Sequence, residues 1–164
     1  MARDLRIGHG FDVHRFQRGR KLILGGVEIS YPLGLAGHSD ADVVLHALIN
    51  ALLGAMGEGD IGTHFSDTDL RYKGISSALL LKQVLKMMRR DKFRLVNGDI
   101  TVVAEKPRFA PFSKKIRAKL AGLLNVPQQR INLKAVTTEG LGWIGAGKGM
   151  AATAVVLLRK TRGR

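Results

Sequence analysis

No cysteine occurs anywhere in the chain. A disulfide framework and a thiolate metal site are therefore both excluded, and any metal must be held by His, Asp or Glu. No run of about twenty apolar residues exists, so no membrane span is expected. The opening residues, Met1 to Arg6, lack the apolar stretch of a signal peptide, and a cytoplasmic protein is the expectation. Aromatic residues are few, and none falls in a base-stacking motif of the RNA-recognition kind. Acidic residues are also scarce: 13 Asp and Glu stand against 27 Lys and Arg, a formal net charge of +14. That excess invites a nucleic-acid reading. The charge falls in Arg15–Arg20, Lys82–Arg94, Lys114–Lys119 and a tail at Arg159–Arg164, which read as helix faces and a terminus. A solvated basic surface is the plainer account, and such a field also attracts anionic, phosphorylated substrates.

What is present is a globular pattern without repeats, linkers or low-complexity segments, long enough for one domain over residues 1–164. Residues 5–14 read as a strand. Lys21–Ile29 reads as a second, broken at Gly25-Gly26 by a hairpin turn. A glycine-bearing loop follows over 32–39. Residues 40–56 have helical period, with Val43, Val44, Ala47, Leu48, Ala51, Leu52 and Ala55 on the apolar face and Ser39 or Asp40 as N-cap. Residues 57–74 form a long irregular segment, functional or mobile by its length. A serine-capped helix (76–90), a strand (93–105), a helix (110–124) and a strand (131–138) follow. A glycine-rich connection (137–149) leads to a last strand (150–158). The expected fold is α+β, a mixed sheet covered by helices on one side in a two-layer sandwich.

Chemistry concentrates first in Gly8-His9-Gly10-Phe11-Asp12-Val13-His14. Side chains alternate across a strand, so Asp12 and His14 share a face. On the first helix Asp42, His46 and Asn50 make a polar stripe at i, i+4 and i+8. Two imidazoles and a carboxylate (Asp12, His14, His46) are a catalytic zinc set with the fourth position open. His38 and Ser39 precede the helix, where N–H groups attract anions. Thr137-Thr138-Glu139 ends a strand, and its hydroxyls and hard carboxylate suit Mg²⁺ or Mn²⁺ held through phosphate oxygens. Asp60, Asp67 and Asp69 can bond sugar or polyol hydroxyls, or simply serve turn geometry.

Four separated segments then occur in order: residues 8–14; Gly37-His38-Ser39-Asp40-Ala41-Asp42-Val43-Val44-Leu45-His46-Ala47-Leu48; Gly59-Asp60-Ile61-Gly62-Thr63-His64-Phe65-Ser66-Asp67-Thr68-Asp69; and Lys134-Ala135-Val136-Thr137-Thr138-Glu139-Gly140-Leu141-Gly142. Together they closely resemble the 2-C-methyl-D-erythritol 2,4-cyclodiphosphate synthases of the non-mevalonate isoprenoid pathway, from about Arg6 to Leu158.

The resemblance implies a cytidine diphosphate-linked substrate, 4-diphosphocytidyl-2-C-methyl-D-erythritol 2-phosphate, cyclised with release of CMP. It implies zinc on Asp12, His14 and His46, and a second divalent ion, Mg²⁺ or Mn²⁺, on Glu139. His38 and Thr137 resemble the family's transition-state stabilisers. Ser39 joins the phosphate contacts. Asp60, Ile61 and Gly62 match ribose and substrate contacts, and Phe65, Ser66, Asp67, Thr68 and Asp69 match a loop closing on the methylerythritol part. Ala104, Glu105, Lys106, Pro107, Arg108, Phe109 and Ala110 match a cytosine pocket, while Val136, Thr137, Thr138 and Glu139 complete the phosphate end and Trp143 lines the substrate site. It further implies a homotrimer with sites between subunits, and no membrane or specific nucleic-acid partner. The sequence departs from the family at Asn50, where aspartate is common and would support His46. It departs also at Ala146 and Lys148, where arginine and glutamate often stand. That arginine lines a central cavity that holds isoprenoid diphosphates, and Ala146 removes its charge. The residues alone also leave open a basic nucleic-acid-binding module and a metal-dependent phosphohydrolase.

Overall fold

The computed structural model describes residues 4–161. The chain runs β1 (Leu5–Gln17), β2 (Leu22–Leu24), β3 (Val27–Ile29), β4 (Gly34–Leu35), α1 (Val43–Met56), α2 (Ile61–His64), α3 (Ser77–Arg90), β5 (Phe93–Val103), α4 (Ala110–Leu124), β6 (Ile131–Val136), α5 (Gly142–Gly145) and β7 (Gly149–Lys160). Five strands form one sheet in the order β4-β1-β7-β5-β6, and β2 and β3 pair as a separate hairpin. Only β5 and β6 run parallel; β1 with β4, β1 with β7 and β5 with β7 are antiparallel. The mixed α+β sheet expected from the sequence is therefore present.

One face of the sheet carries the core. Ile100, Val102, Ala152, Ala154, Val156 and Leu158 are fully buried on that face, where α1 lies across β1 and β7, and α3 and α4 pack beside β5 and β6. Close approach of α1 depends on two glycines. A Cβ at Gly8 would stand 1.9 Å from the Ala51 carbonyl oxygen, and one at Gly10 would stand 2.0 Å from that of Ala47. Neither position admits a side chain unless the helix moves. On the opposite face Ile7, Phe11, Val13 and Val155 remain exposed.

Helix α1 differs from the sequence reading in two ways. It is buried on nearly all sides, since Leu45, Ile49 and Leu53 are covered as fully as the expected apolar face. It also starts at Val43, and its cap is Asp42 rather than Ser39 or Asp40. The Asp42 carboxylate accepts from the Val44 and Leu45 N–H groups at 3.1 Å and from Gly25 and Gly26 at 2.8 and 2.6 Å. One buried side chain thus caps the helix and fastens the hairpin turn. Ala41, at φ 56°, turns the chain the wrong way for the helix to extend backward.

The segment 57–74 is not wholly irregular. It contains α2, capped by Asp60, and a single 3-10 turn over Leu70–Tyr72, capped by Asp69. Likewise α5 interrupts the glycine-rich connection. The basic stretch at the end divides: Arg159 and Lys160 belong to β7, and residues 162–164 lie outside the described residues, as do residues 1–3 of the opening segment. Among the described residues no helix is long and apolar enough to cross a membrane.

Candidate metal centre

Asp12 and His14 stand on the helix-facing side of β1, opposite Ala152 and Met150 of β7. His46 comes down from the second turn of α1. The three donor atoms converge: Asp12 Oδ2 lies 2.9 Å from His14 Nε2 and 3.0 Å from His46 Nδ1, and the two nitrogens are 3.2 Å apart. A tetrahedral zinc with bonds near 2.0–2.1 Å would set donors about 3.3 Å apart. These spacings therefore sit within a few tenths of an ångström of the coordinating edge. Among the described residues these three make the one cluster of His, Asp or Glu with metal-ligand spacing.

The hydrogen bonds behind the cluster fix its chemistry. The Ser77 hydroxyl donates to Asp40, so its oxygen accepts the His46 Nε2–H at 2.8 Å. His46 Nδ1 is then left with its lone pair toward Asp12. The Ala36 backbone lies behind His14 and favours its protonated ring, while Nε2 is the atom that faces Asp12. Three lone-pair-bearing atoms thus face one another at about 3 Å, an arrangement that repels itself until a cation or proton sits between them. Burial pushes the Asp12 carboxyl up, but the hydrogen bonds and charges of His14 and His46 outweigh it and hold it at about 2. Burial pulls the His14 imidazole down, yet the hydrogen bond and charge of Asp12 leave it raised above the ordinary value of 6.5. The donor set, neutral nitrogens with an ionised carboxylate and no thiolate, fits a zinc-type ion with one position open.

Ser39 is buried beside this cluster, its hydroxyl 3.2 Å from His46 Nε2 and accepting from Ala41 N–H. His38 is half-buried next to it, and its carbonyl accepts from Gly74 N–H. Arg20 clamps the loop by donating to the Gly37 and Ser39 carbonyls. Asn50 makes no hydrogen bond to His46. Its side-chain oxygen accepts from Ile61 N–H at 2.9 Å and anchors α2. Sequence reasoning missed Ser77 and Asp40 as supports. The signal was there: Ser77 lies on the same helical stripe as Leu80, Leu81 and Val84, a polar residue in an apolar face.

The other residues singled out lie apart from the cluster. Asp60 is exposed and accepts from Thr63 N–H and its hydroxyl, with Ile61 and Gly62 following in α2. The Phe65 ring is buried edge-on against Tyr72, at 5.4 Å between centroids, and roots a loop whose Ser66, Asp67 and Thr68 are exposed. Asp69 pairs with Arg71. Ala104–Ala110 joins β5 to α4, with Lys106, Arg108 and Ala110 exposed and Pro107 and Phe109 half-buried. Glu105 instead holds the turn after β6, accepting from Thr138 N–H and hydroxyl and from Gly140 N–H, which lowers its carboxyl below the usual range. In that turn the Thr137 hydroxyl donates to Glu139 at 2.9 Å, and Glu139 adopts φ 53°. Trp143 is partly exposed against Gly149.

The residue row Val13–Ala151–Val103–Val136 runs straight across the sheet, so the metal cluster and the Thr137–Glu139 turn share one end of it. Three strand steps separate them, roughly 14 Å at about 4.8 Å each.

A family model described as the YgbB family matches residues 5–159. A protein of Geobacillus kaustophilus named 2-C-methyl-D-erythritol 2,4-cyclodiphosphate synthase is 55% identical over 156 residues, covering 95% of this chain and 99% of its own. The solved structure of the bifunctional IspDF from Campylobacter jejuni superposes with a TM-score of 0.94 at 43% identity. It covers 98% of this chain, which spans only 43% of that longer protein. The Plasmodium falciparum IspF complex with CDP matches at 31% identity and a TM-score of 0.85, covering 99% of this chain and 100% of that one. The chain belongs to the YgbB family.

Proposed function

We propose that this member of the YgbB family cyclises 4-diphosphocytidyl-2-C-methyl-D-erythritol 2-phosphate to 2-C-methyl-D-erythritol 2,4-cyclodiphosphate, releasing CMP as a phosphorus–oxygen lyase does. An oxygen of the substrate's 2-phosphate bonds to the β-phosphorus. The bond from that phosphorus to the bridging oxygen breaks, and its electron pair leaves on CMP. No water and no protein nucleophile takes part, so catalysis is alignment and charge neutralisation.

The observation that carries this reading is the cage of three converging lone pairs on Asp12, His14 and His46, which would hold zinc. Bound there, zinc would polarise a phosphate oxygen at its open corner, and Mg²⁺ or Mn²⁺ at Glu139 would neutralise the leaving diphosphate oxygens. Ser77 and Asp40 keep His46 in the ligating tautomer. His38 and Ser39 face the transferring phosphate, and the Thr137 hydroxyl, which bonds Glu139 in the free chain, turns to donate to an oxygen on which charge builds. Val136, Thr138 and Trp143 frame that end. Backbone groups of Ala104–Ala110 read the cytosine edge, Asp60–Gly62 hold the ribose, and Phe65 anchors the exposed Ser66–Asp69 segment over the methylerythritol part.

A diphosphate is far too short to span about 14 Å between the cluster and the Thr137–Glu139 turn. That separation supports a homotrimer in which the turn of one copy meets the metal cluster of the next. The open apolar sheet face with Ile7, Phe11, Val13 and Val155 is the surface such an assembly would bury.

Metal analysis of the purified protein, coupled to phosphorus NMR of the turnover mixture, tests the reading. One zinc per chain and a cyclic diphosphate formed with CMP are expected. Release of inorganic phosphate in place of the cyclic product would make the chain a hydrolase and overturn it.

A further inference from the structure

The geometry points to a second anion site, at the other end of the sheet, that takes a small polyphosphorylated ligand. A groove of about 730 Å³ opens between the C-terminal ends of α3 and α4 and the ends of β5 and β7. Arg89, Lys92, Arg94, Arg130 and Arg159 line it, and none of its lining residues is acidic. Arg159 lies opposite Leu5 in the β1 register, seven residues before Asp12, which puts it roughly 23 Å along the strand from the metal cluster. The groove is separate from the proposed catalytic centre, and the inference stands whether or not the cyclisation reading holds.

Three features mark the groove as more than a solvated basic face. First, Arg94 and Arg159 are direct partners across antiparallel β5 and β7, exposed at the groove's rim on the strand face that alternates with buried Phe93, Leu95 and Leu158. Opposed residues bring their Cβ atoms to about 5 Å, and like charges in that position are destabilising unless an anion lies between them. Second, the sheet is irregular between Leu95 and Asn97. The Val96 carbonyl that this frees accepts from Arg130 at 3.2 Å, which holds a third guanidinium at the rim. Third, five cations stand together here with no acidic residue among them, whereas Arg6, Lys21, Arg71, Arg90 and Lys134 pair with a carboxylate and the other unpaired cations, such as Lys82 and Lys86, lie outside the groove. Among the described residues the five groove cations form no such pair. The carbonyl ends of α3 and α4 offset roughly half a charge each, which leaves close to four positive charges unopposed.

The shape selects the ligand class. Its volume is that of a small-molecule pocket. The aromatic side chain in the lining, Phe93, is buried and covered by the Lys160 ammonium at 5.2 Å, so no ring is free to stack on a base. Fork-shaped guanidiniums recognise phosphate oxygens two at a time. A compact ligand carrying three or more phosphate charges fits, and a single-stranded nucleic acid read by stacking does not.

Titration calorimetry of the intact protein tests this, with tripolyphosphate as the probe and saturating CDP present to occupy the catalytic end. The salt should be near 0.15 M, where long-range surface attraction is screened within about 8 Å. Wild-type protein should bind the probe, and Arg94→Ser with Arg159→Ser should weaken binding at least about tenfold. Lys82→Ser with Lys86→Ser removes the same charge from the outer face of α3 and should change it less than about twofold. Both variants should keep the wild-type circular dichroism spectrum and a cooperative melt, which shows that they fold. The arginine variant should melt higher than wild type without ligand and lose the stabilisation that tripolyphosphate gives. Equal weakening by the two variants would reduce the groove to a general basic field and overturn the proposal. So would an absence of binding by the wild type, or tighter capture of an RNA oligonucleotide through the same two arginines.

Discussion

The cluster of Asp12, His14 and His46 and the turn at Thr137–Glu139 share one end of the sheet but are built differently. The first is sunk between β1 and α1, and α3 and the 36–40 loop support its two imidazoles from behind. The second is exposed, and its hydrogen bonds are to itself, to Leu141 and to Glu105. One region is complete within a single chain. The other is exposed, and among the described residues it hydrogen-bonds only within its own turn and to Glu105. Holding a metal and capturing a flexible diphosphate, the roles proposed for the two regions, make different demands, and burial suits the first as exposure suits the second.

The largest effect that separates the two regions is His46→Ala. Two ligands do not hold zinc, so zinc content should fall to background and turnover by at least about 10³-fold. Circular dichroism should show the fold retained, because Ser77 and Asp40 still satisfy each other. Thr137→Val should lower turnover roughly 10²-fold, the size of one lost oxyanion donor, with zinc content unchanged. Zinc lost along with activity in that variant would mean the regions are coupled inside one chain. Ser77→Ala removes only the support behind His46, and competition with a chelator should show zinc affinity reduced about 10–100-fold.

The effect of pH should run in opposite directions with and without metal. The raised His14 contributes stability in full below its ordinary value of 6.5 and loses it as pH climbs through the raised value. Asp12 contributes above its ordinary 3.8 and loses its share as pH falls toward about 2. Metal-free protein should therefore melt highest between about pH 4 and 6.5 and lower on the alkaline side. Zinc affinity should rise with pH over that alkaline step, since ligation needs neutral imidazoles. Calorimetric melting with and without chelator reads both trends. The smallest effect is Asp60→Ala, which removes the α2 cap and should cost about 1 kcal/mol in urea unfolding while zinc content stays the same.

Much of the metal centre was legible because it rests on local periodicity. Strand alternation puts Asp12 and His14 together, and helical period puts His46 on the polar stripe of α1. The supports were not, because they depend on which element packs where. Ser77 reads as a second serine at a helix start, and only the packing of α3 against α1 shows it as the partner of His46. The cap of α1 was misplaced because Ser39, Asp40 and Asp42 are all good caps, and the left-handed turn at Ala41 decides among them. Asn50 was expected only to weaken the support that an aspartate there would give His46, and nothing in the sequence showed that the side chain reaches forward to α2. The order of strands is non-local too. Nothing in the spacing of His14 and Thr137 reveals that β7 and β5 lie between their strands.

Mixing two inactive chains tests the shared site most directly. His46→Ala and Thr137→Val protein, dissociated and reassembled together in equal amounts, should recover about a quarter of wild-type turnover, because one site in four then receives an intact metal cluster from one copy and an intact turn from the next. Activity no greater than the sum of the two variants alone would contradict a site completed between copies.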